Sequence, residues 1–169
     1  MEYQRLIKGK RYRPKEKEIK TILERIKTSL HLNPADFLSP TAKFEKIELS
    51  SKDRILLIDE KPAFIESEGE IYPTLLNEAV LSRLPSITVD MGAIPHICNG
   101  ADIMAPGMTK INGEFDSQSI AVIMEERFSK RIALCKTLYA SHEMIGKKSG
   151  KVAKNIHYIG DRFWDILKK

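Results

Sequence analysis

The chain has 169 residues, of which 42% are apolar and 30% are charged, and its net charge is +5. A chain of this length buries roughly 70% of its unfolded surface, so it can form a stable core without disulfides or a structural metal. Its two cysteines form no CxxC pair, and its longest apolar run, Ile120–Met124, has five residues, far short of the roughly 20 that span a membrane. With no signal-peptide pattern at the N-terminus, we expect a soluble, cytoplasmic protein without a membrane span, metal or cofactor.

The N-terminal half is predicted to be a helix followed by an antiparallel sheet. Apolar residues repeat at helical spacing from Glu16 to Leu30, at Ile19, Ile22, Leu23, Ile26 and Leu30. Asn33-Pro34 is predicted to end this helix, because proline cannot continue the hydrogen-bond ladder. An alternating strand is predicted at 43–49 and further strands at 54–59, 62–66 and 71–73, with a short helix within 75–84. This order predicts a small α+β domain over residues 1–83.

The C-terminal half is predicted to be a small barrel. Strands are expected at 87–89, 102–105, 119–124, 131–139 and within 152–159, with short helices near Pro95, after Ser141 and at 161–167. Many short strands broken by glycine and proline are typical of small barrels. We therefore expect a second domain over residues 84–169, with Pro85 in the connection.

The stretch VDMGAIPHICNGADIMAPGM, residues 89–108, carries only two charges, Asp90 and Asp102. Pro95 suits the first turn of a short helix, and Gly100 suits the left-handed position that ends one. The need for tight turns is therefore enough to explain the glycines of this stretch. A second explanation stays open, in which Gly92 and Gly100 also let a phosphate backbone approach bare amides.

The order Val89-Asp90-x-Gly92-Ala93, Gly100-Ala101 and Pro106-Gly107-Met108 resembles the opening of a PUA domain, the RNA-binding module of pseudouridine synthases and archaeosine transglycosylases. Two further segments, Tyr72-Pro73-Thr74-Leu75 and Asn155-Ile156-His157-Tyr158 with Asp161 and Trp164, are similar to the malignant-T-cell-amplified-sequence family and its stand-alone archaeal relatives. The resemblance covers roughly residues 40–169.

This resemblance implies an α+β fold in which a small N-terminal α+β domain packs on a C-terminal mixed β pseudo-barrel of the PUA type. It also implies a protein without a catalytic centre that works on tRNA or the ribosome in translation, and eukaryotic members pair with a partner carrying a SUI1-type domain, the density-regulated protein. One departure concerns the Gly-Asp that PUA domains commonly place before the strand matched by Ile120–Met124. Here the residues are Ser117-Gln118-Ser119, so the resemblance does not extend to an RNA contact by that loop.

Basic residues are concentrated in two segments. Residues 1–27 hold ten Lys and Arg against four Glu, and residues 127–154 hold eight against one. Such asymmetry suggests a surface for a polyanion, although solvation of exposed faces explains the same charges. We predict that Gly92 and Gly100 provide close backbone approach, while phosphates are neutralised by Lys110, Arg131, Lys147, Lys148 and Lys151. The segment from Lys8 to Arg13 is the alternative.

Other chemistry finds little support in the sequence. Neither a phosphate-binding GxxxxGK[ST] loop nor GxGxxG is present, and His142-Glu143 lacks the second histidine of HExxH. We expect His157 to be a hydrogen-bonded structural histidine, and Asp90 and Asp102 to have capping or turn roles. Phe163 and Trp164 are expected to close the barrel, and stacking on a base is the alternative. An enzyme is therefore not expected.

Three functional hypotheses remain open. The first is a non-catalytic RNA-binding protein of translation that holds tRNA or rRNA, including that of the small ribosomal subunit. The second is a protein–protein adaptor that docks a SUI1-type translation factor. The third is an accessory subunit that delivers tRNA to a modification enzyme. The sequence does not predict the oligomeric state.

Overall fold

The computed structural model describes residues 7–169. The chain divides into two compact units. The N-terminal unit comprises the residues up to Arg83 together with Ile166–Lys169, and the C-terminal unit comprises Leu84–Asp165. In the described part of the chain, no helix is long and apolar enough to cross a membrane.

The N-terminal unit is a five-stranded antiparallel sheet with helices. Helix α1 spans Glu16–Leu30, and α2 spans Glu78–Leu81. The strands are β1 Lys10–Tyr12, β2 Phe44–Glu48, β3 Arg54–Ile58, β4 Lys61–Ser67 and β5 Glu70–Pro73, and they are arranged in chain order. Ile22, Ile26 and Leu30 form the buried stripe of α1. The spacing of these apolar residues therefore predicted the helix correctly.

Two details of this unit differ from the sequence prediction. Helix α1 ends at His31, whose φ of 54° is left-handed, and Asn33-Pro34 instead opens a 3₁₀ turn over Pro34–Asp36. Strand β1 was not predicted, because Lys10-Arg11-Tyr12 shows no alternation of apolar and polar residues. It forms by pairing with β2, where Arg11 lies opposite Ile47.

The C-terminal unit is a curled six-stranded mixed sheet with short helices. Its strands are β6 Ser86–Val89, β7 Ile103–Met104, β8 Met108–Asn112, β9 Ile120–Glu125, β10 Arg131–Thr137 and β11 Lys151–Tyr158. Its helices are α3 Ile94–Ile97, α4 Ser141–Ile145 and α5 Arg162–Leu167, the last of which runs on into the N-terminal unit's share of the chain. The spatial order is β7-β11-β10-β9-β6-β8. Only the β6–β9 pair among these strands is parallel.

The core of this unit lies inside the curl. It includes Ile87 and Val89 of β6, Ile97 of α3 and Ile123 of β9, each at most 2% exposed. The predicted α+β fold with a barrel-like second half is confirmed. Strand β8 was not predicted, because Met-Thr-Lys-Ile-Asn has only a weak alternation, and it is held by pairing with β6.

The loop before β9 makes its turn without glycine. Gln118 has a left-handed φ of 62°, and its N–H donates to the carbonyl of Thr137 at 2.6 Å. Ser119 is buried and its N–H donates to the Thr137 hydroxyl at 3.0 Å. Glutamine therefore takes the conformation that glycine adopts more easily.

Candidate nucleic-acid interface

The stretch from Val89 to Met108 folds back on itself around a cleft. The N–H of Asp90 donates to the carbonyl of Gly107 at 2.9 Å, which joins the two ends of the stretch. The cleft has a volume of about 430 Å³. Its walls are mostly apolar and come entirely from this stretch: Val89, Asp90, Ala93, His96, Ile97, Ala101, Asp102, Ile103, Met104, Pro106 and Gly107.

Capping and turn residues shape the chain around the cleft. The Asp90 carboxylate accepts the N–H of Ala93 at 2.9 Å and so caps a 3₁₀ turn over Met91–Ala93, as predicted for this aspartate. Helix α3 follows with Pro95 in its first turn, where the missing N–H costs no helical bond. Gly100 then has the predicted left-handed conformation, with φ of 93°.

Asn155 of β11 holds the far side of the cleft in place. Its side-chain amide donates to the carbonyls of Ile97 and Ala101, each at 3.0 Å. Its backbone N–H donates to the Asp102 carboxylate at 2.9 Å. One residue therefore connects the end of α3 and the start of β7 to the sheet. This role of Asn155 was not predicted from the sequence, where the residue stands out only as part of the motif Asn155-Ile156-His157-Tyr158.

Asp102 has neither the capping nor the turn role that was predicted for it. Its Oδ2 lies 2.7 Å from the Lys151 Nζ, in an ion pair at the edge of the cleft. Burial by itself would raise the pKa of Asp102, but the Lys151 ammonium and the Asn155 N–H outweigh it and hold the pKa below its usual value. The cleft therefore carries a carboxylate that is ionised and already paired.

The two predicted glycines have different surroundings. Gly92 is exposed, and a Cβ placed there would meet only the Asp90 carboxylate oxygen at 3.5 Å. At Gly100 a Cβ would lie 3.1 Å from the Tyr158 hydroxyl oxygen, and the φ of 93° disfavours any side chain. The Gly100 N–H also donates to the Ile97 carbonyl at 3.0 Å, so it serves the fold. The Gly100 N–H is therefore not available to bind a phosphate. If RNA approaches the backbone closely at Gly100, it does so because the residue has no side chain.

We expect Gly100→Ala to lower the free energy of unfolding by about 1–2 kcal/mol, because alanine is strained at positive φ and crowds Tyr158. Gly92→Ala is the matched control and should change that free energy by less than about 0.5 kcal/mol. Urea denaturation of both variants measures the difference. Equal stabilities would contradict the conformational explanation for Gly100.

The five predicted basic residues differ in exposure and in the elements that carry them. Lys151 begins β11 opposite Met104 of β7, and the carbonyl of the preceding Gly150 accepts the N–H of Ala105. Lys148 is exposed, whereas the Lys147 ammonium lies 3.9 Å from the ring centroid of Tyr139. Lys110 is exposed on β8, and Arg131 begins β10 half-buried. The structure thus brings Lys151 directly to the cleft, and Lys147 and Lys148 precede it in the chain.

His157 and Cys135 are part of the buried interior. His157 is fully buried and its Nδ1 lies 2.8 Å from the Asp161 Oδ2, which confirms the predicted hydrogen-bonded histidine. Burial raises the pKa of the Cys135 thiol to about 12, so this cysteine is not a nucleophile. Over residues 7–169, no three His, Cys, Asp or Glu side chains are grouped as metal ligands would be.

Comparison with known proteins identifies the C-terminal unit. Residues 85–159 match the family model of the PUA domain. An uncharacterized protein of Methanocaldococcus jannaschii is 30% identical over 160 residues, which are 93% of this chain and 96% of that protein. The chain belongs to the PUA-domain family. The predicted resemblance is therefore confirmed, and the cleft is part of the PUA domain.

Other relatives and a solved structure agree with this assignment. Translation machinery-associated protein 20 of Saccharomyces cerevisiae is 25% identical over 138 residues, 78% of this chain and 76% of the relative. Malignant T-cell-amplified sequence 1 of Danio rerio is 36% identical over 109 residues, 61% of this chain and 59% of the relative. A PUA-domain structure from Aeropyrum pernix K1, a tartrate complex, superposes with a TM-score of 0.83 at 24% identity and covers 95% of this chain and 91% of its own. That structure shows that the two chains share a fold.

Proposed function

We propose that this protein is a non-catalytic RNA-binding protein of translation, which holds structured RNA, tRNA or rRNA, at the PUA-domain cleft. The observation that carries the proposal is the position of Lys151, which lies at the edge of an open, mostly apolar cleft and at the end of a basic segment. The names of the yeast and fish relatives, one of them a translation machinery-associated protein, support the setting.

The cleft suits a nucleoside better than a phosphate. Its walls are mostly apolar, and the residues that line it include the carboxylates of Asp90 and Asp102 but no Lys or Arg, so a phosphate placed inside would find no cation on the walls. A base or ribose buries well against such walls. The phosphates on either side would then meet the cations at the edge, where Lys151 is half-exposed and Lys148 is exposed.

The carboxylates of the cleft are already engaged, which supports a binding role over catalysis. Asp90 accepts the Ala93 N–H, and Asp102 is paired with Lys151. General acid–base catalysis needs a group whose pKa lies near the operating pH. The pKa of Asp102 is held low instead, so it does not exchange a proton near neutral pH.

Binding of RNA to the purified protein across a range of salt concentrations tests the proposal. If the five predicted cations each neutralise one phosphate, log affinity should fall against log salt with a slope of about −3.5 to −4.5. Heparin, a polyanion without bases, is the control and should compete less well than unlabelled RNA at equal charge. Absent binding, or binding that does not respond to salt, would contradict the proposal.

Two further observations separate the alternatives. A SUI1-domain partner, with the small ribosomal subunit as the RNA, is the partnership that family resemblance implies. RNA binding that appears only after such a partner is added would favour the adaptor. A tRNA-modification defect in cells lacking the protein would favour the accessory subunit. A role in translation would place the protein in the cytoplasm.

A further inference from the structure

The turn between β9 and β10, residues 126–130, presents an aromatic ring to solvent. Phe128 is 67% exposed at the tip of this turn. An exposed phenylalanine contributes nothing to the core, and its neighbours Arg127 and Lys130 are exposed cations. The Lys130 Nζ lies 5.7 Å from the ring centroid of Phe128, within the range of a cation–π contact.

The turn is ordered by a buried carboxylate. Glu125 is 3% exposed, and its carboxylate accepts the N–H groups of Arg127 at 2.9 Å, Phe128 at 2.7 Å and Lys130 at 2.9 Å. Ser129 completes the turn with a left-handed φ of 54°. Because the backbone is held in this way, a ligand that contacts Phe128 does not have to order the loop.

The turn is connected to the beginning of the cleft stretch. The N–H of Glu126 donates to the Val89 carbonyl at 3.1 Å, and the Glu126 carboxylate accepts the Met91 N–H at 3.3 Å. Val89 lines the cleft, and Met91 precedes Gly92. The turn that carries Phe128 is therefore hydrogen-bonded to the beginning of the stretch that forms the candidate RNA site.

We propose that Phe128 is a stacking platform for an unpaired nucleotide of the RNA that the cleft holds. This inference rests on the proposed function. A nucleobase is the ligand that matches both features of the turn, because its flat face stacks on the ring and its flanking phosphates meet Arg127 and Lys130. Stacking accepts every base, so the contact selects a single-stranded segment and not a sequence.

Two RNAs that share one duplex stem test this inference, one blunt and one with a single-stranded extension. Phe128→Ala should weaken binding of the extended RNA by about 5- to 20-fold and of the blunt RNA by less than about twofold. Phe128→Tyr should keep the affinity, since the ring remains. Ile145→Ala removes an equally prominent apolar side chain, 74% exposed on α4, and should change neither affinity.

A spectroscopic measurement gives a second readout. In Phe128→Trp, a stacked base should quench the new fluorescence on addition of the extended RNA and not of the blunt RNA, after subtraction of the wild-type signal of Trp164. If Phe128→Ala binds both RNAs as the wild type does, or loses both equally, the stacking role is wrong, and a protein contact becomes the explanation for the exposed ring. If the wild type binds neither RNA, the proposed function fails and this inference fails with it.

Discussion

The substitution Asp161→Ala should lower the free energy of unfolding by about 3 kcal/mol. Its carboxylate lies 2.8 Å from the His157 Nδ1 and accepts the backbone N–H groups of Tyr158 at 3.0 Å and Trp164 at 2.7 Å. In the alanine variant, the His157 ring nitrogen and the two backbone N–H groups lose this acceptor at a buried position. Each lost hydrogen bond lowers the free energy of unfolding by on the order of 1 kcal/mol. Urea denaturation followed by Trp164 fluorescence measures the effect, since Trp164 lies in the same unit.

The effect should depend on pH in a definite direction. Burial would raise the pKa of Asp161, but His157 and the two backbone N–H groups outweigh it and lower the pKa. A carboxyl whose pKa is lower in the folded state stabilises the fold above its unfolded pKa of about 3.9. That contribution is lost as the pH falls through the folded pKa. The difference between wild type and Asp161→Ala should therefore be full at pH 6–7 and shrink below about pH 4.

Asp161→Asn is the matched control, because it removes the charge and keeps an oxygen that accepts a hydrogen bond. It should be less destabilising than Asp161→Ala, and it should no longer show the pH dependence of this carboxyl. An alanine variant as stable as the wild type, or a difference that grows at low pH, would contradict the assigned role.

Local patterns predicted most of the fold. Helix α1 was predicted over Glu16–Leu30, as observed, although His31 and not Asn33-Pro34 ends it. The apolar runs in β3 and β10 placed these strands to within two residues. Pro95 predicted the short helix, because proline fixes φ near its helical value, and Gly100 predicted the left-handed turn after it, because glycine tolerates a positive φ. These signals lie within a few neighbouring residues, which is why the sequence alone shows them.

Strands that depend on distant partners were missed. Lys10–Tyr12 and Met108–Asn112 have little pattern of their own, and each forms because an exposed edge of a neighbouring strand accepts it. Pairing of this kind depends on residues far along the chain. The sheet order, with β6 parallel to β9, was also beyond local reasoning.

The segments that form the candidate site were predicted, but the contacts between their residues were not. The sequence indicated the stretch 89–108 and the basic segment that contains Lys151. It did not indicate that Asp102 pairs with Lys151, or that Asn155 connects three parts of the cleft over more than 50 residues. The prominence of Phe128 was missed as well, because exposure depends on how Glu125 folds the turn.

Removing Lys147, Lys148 and Lys151 together by alanine substitution should weaken RNA binding at 0.1 M salt by roughly two orders of magnitude. Each lost phosphate contact should flatten the slope of log affinity against log salt by about 0.7 to 0.9, so the slope should flatten by about 2 to 2.7. Stability should change by no more than about 1 kcal/mol for each lysine, since their contacts with Asp102 and Tyr139 are partly exposed.

A control variant that loses three lysines from another part of the surface distinguishes binding at a specific basic patch from binding that depends on net charge alone. Lys17, Lys20 and Lys27 are exposed on α1, and replacing these three by alanine should leave the affinity within about threefold of the wild type. Fluorescence anisotropy with labelled RNA measures all variants at several salt concentrations. Equal losses in both triple variants would mean that binding follows net charge alone. Unchanged affinity in the first variant would move the RNA site to the segment from Lys8 to Arg13.

Lys151 should contribute in two ways that a further pair of variants separates. Lys151→Ala removes a cation and also leaves the Asp102 carboxylate unpaired in the cleft, where it repels RNA. Adding Asp102→Asn removes that repulsion while an oxygen remains to accept the Asn155 N–H. The double variant should therefore bind more tightly than Lys151→Ala and less tightly than the wild type. If the two variants bind equally, no phosphate or base comes near Asp102, and the cleft is not where the RNA is held.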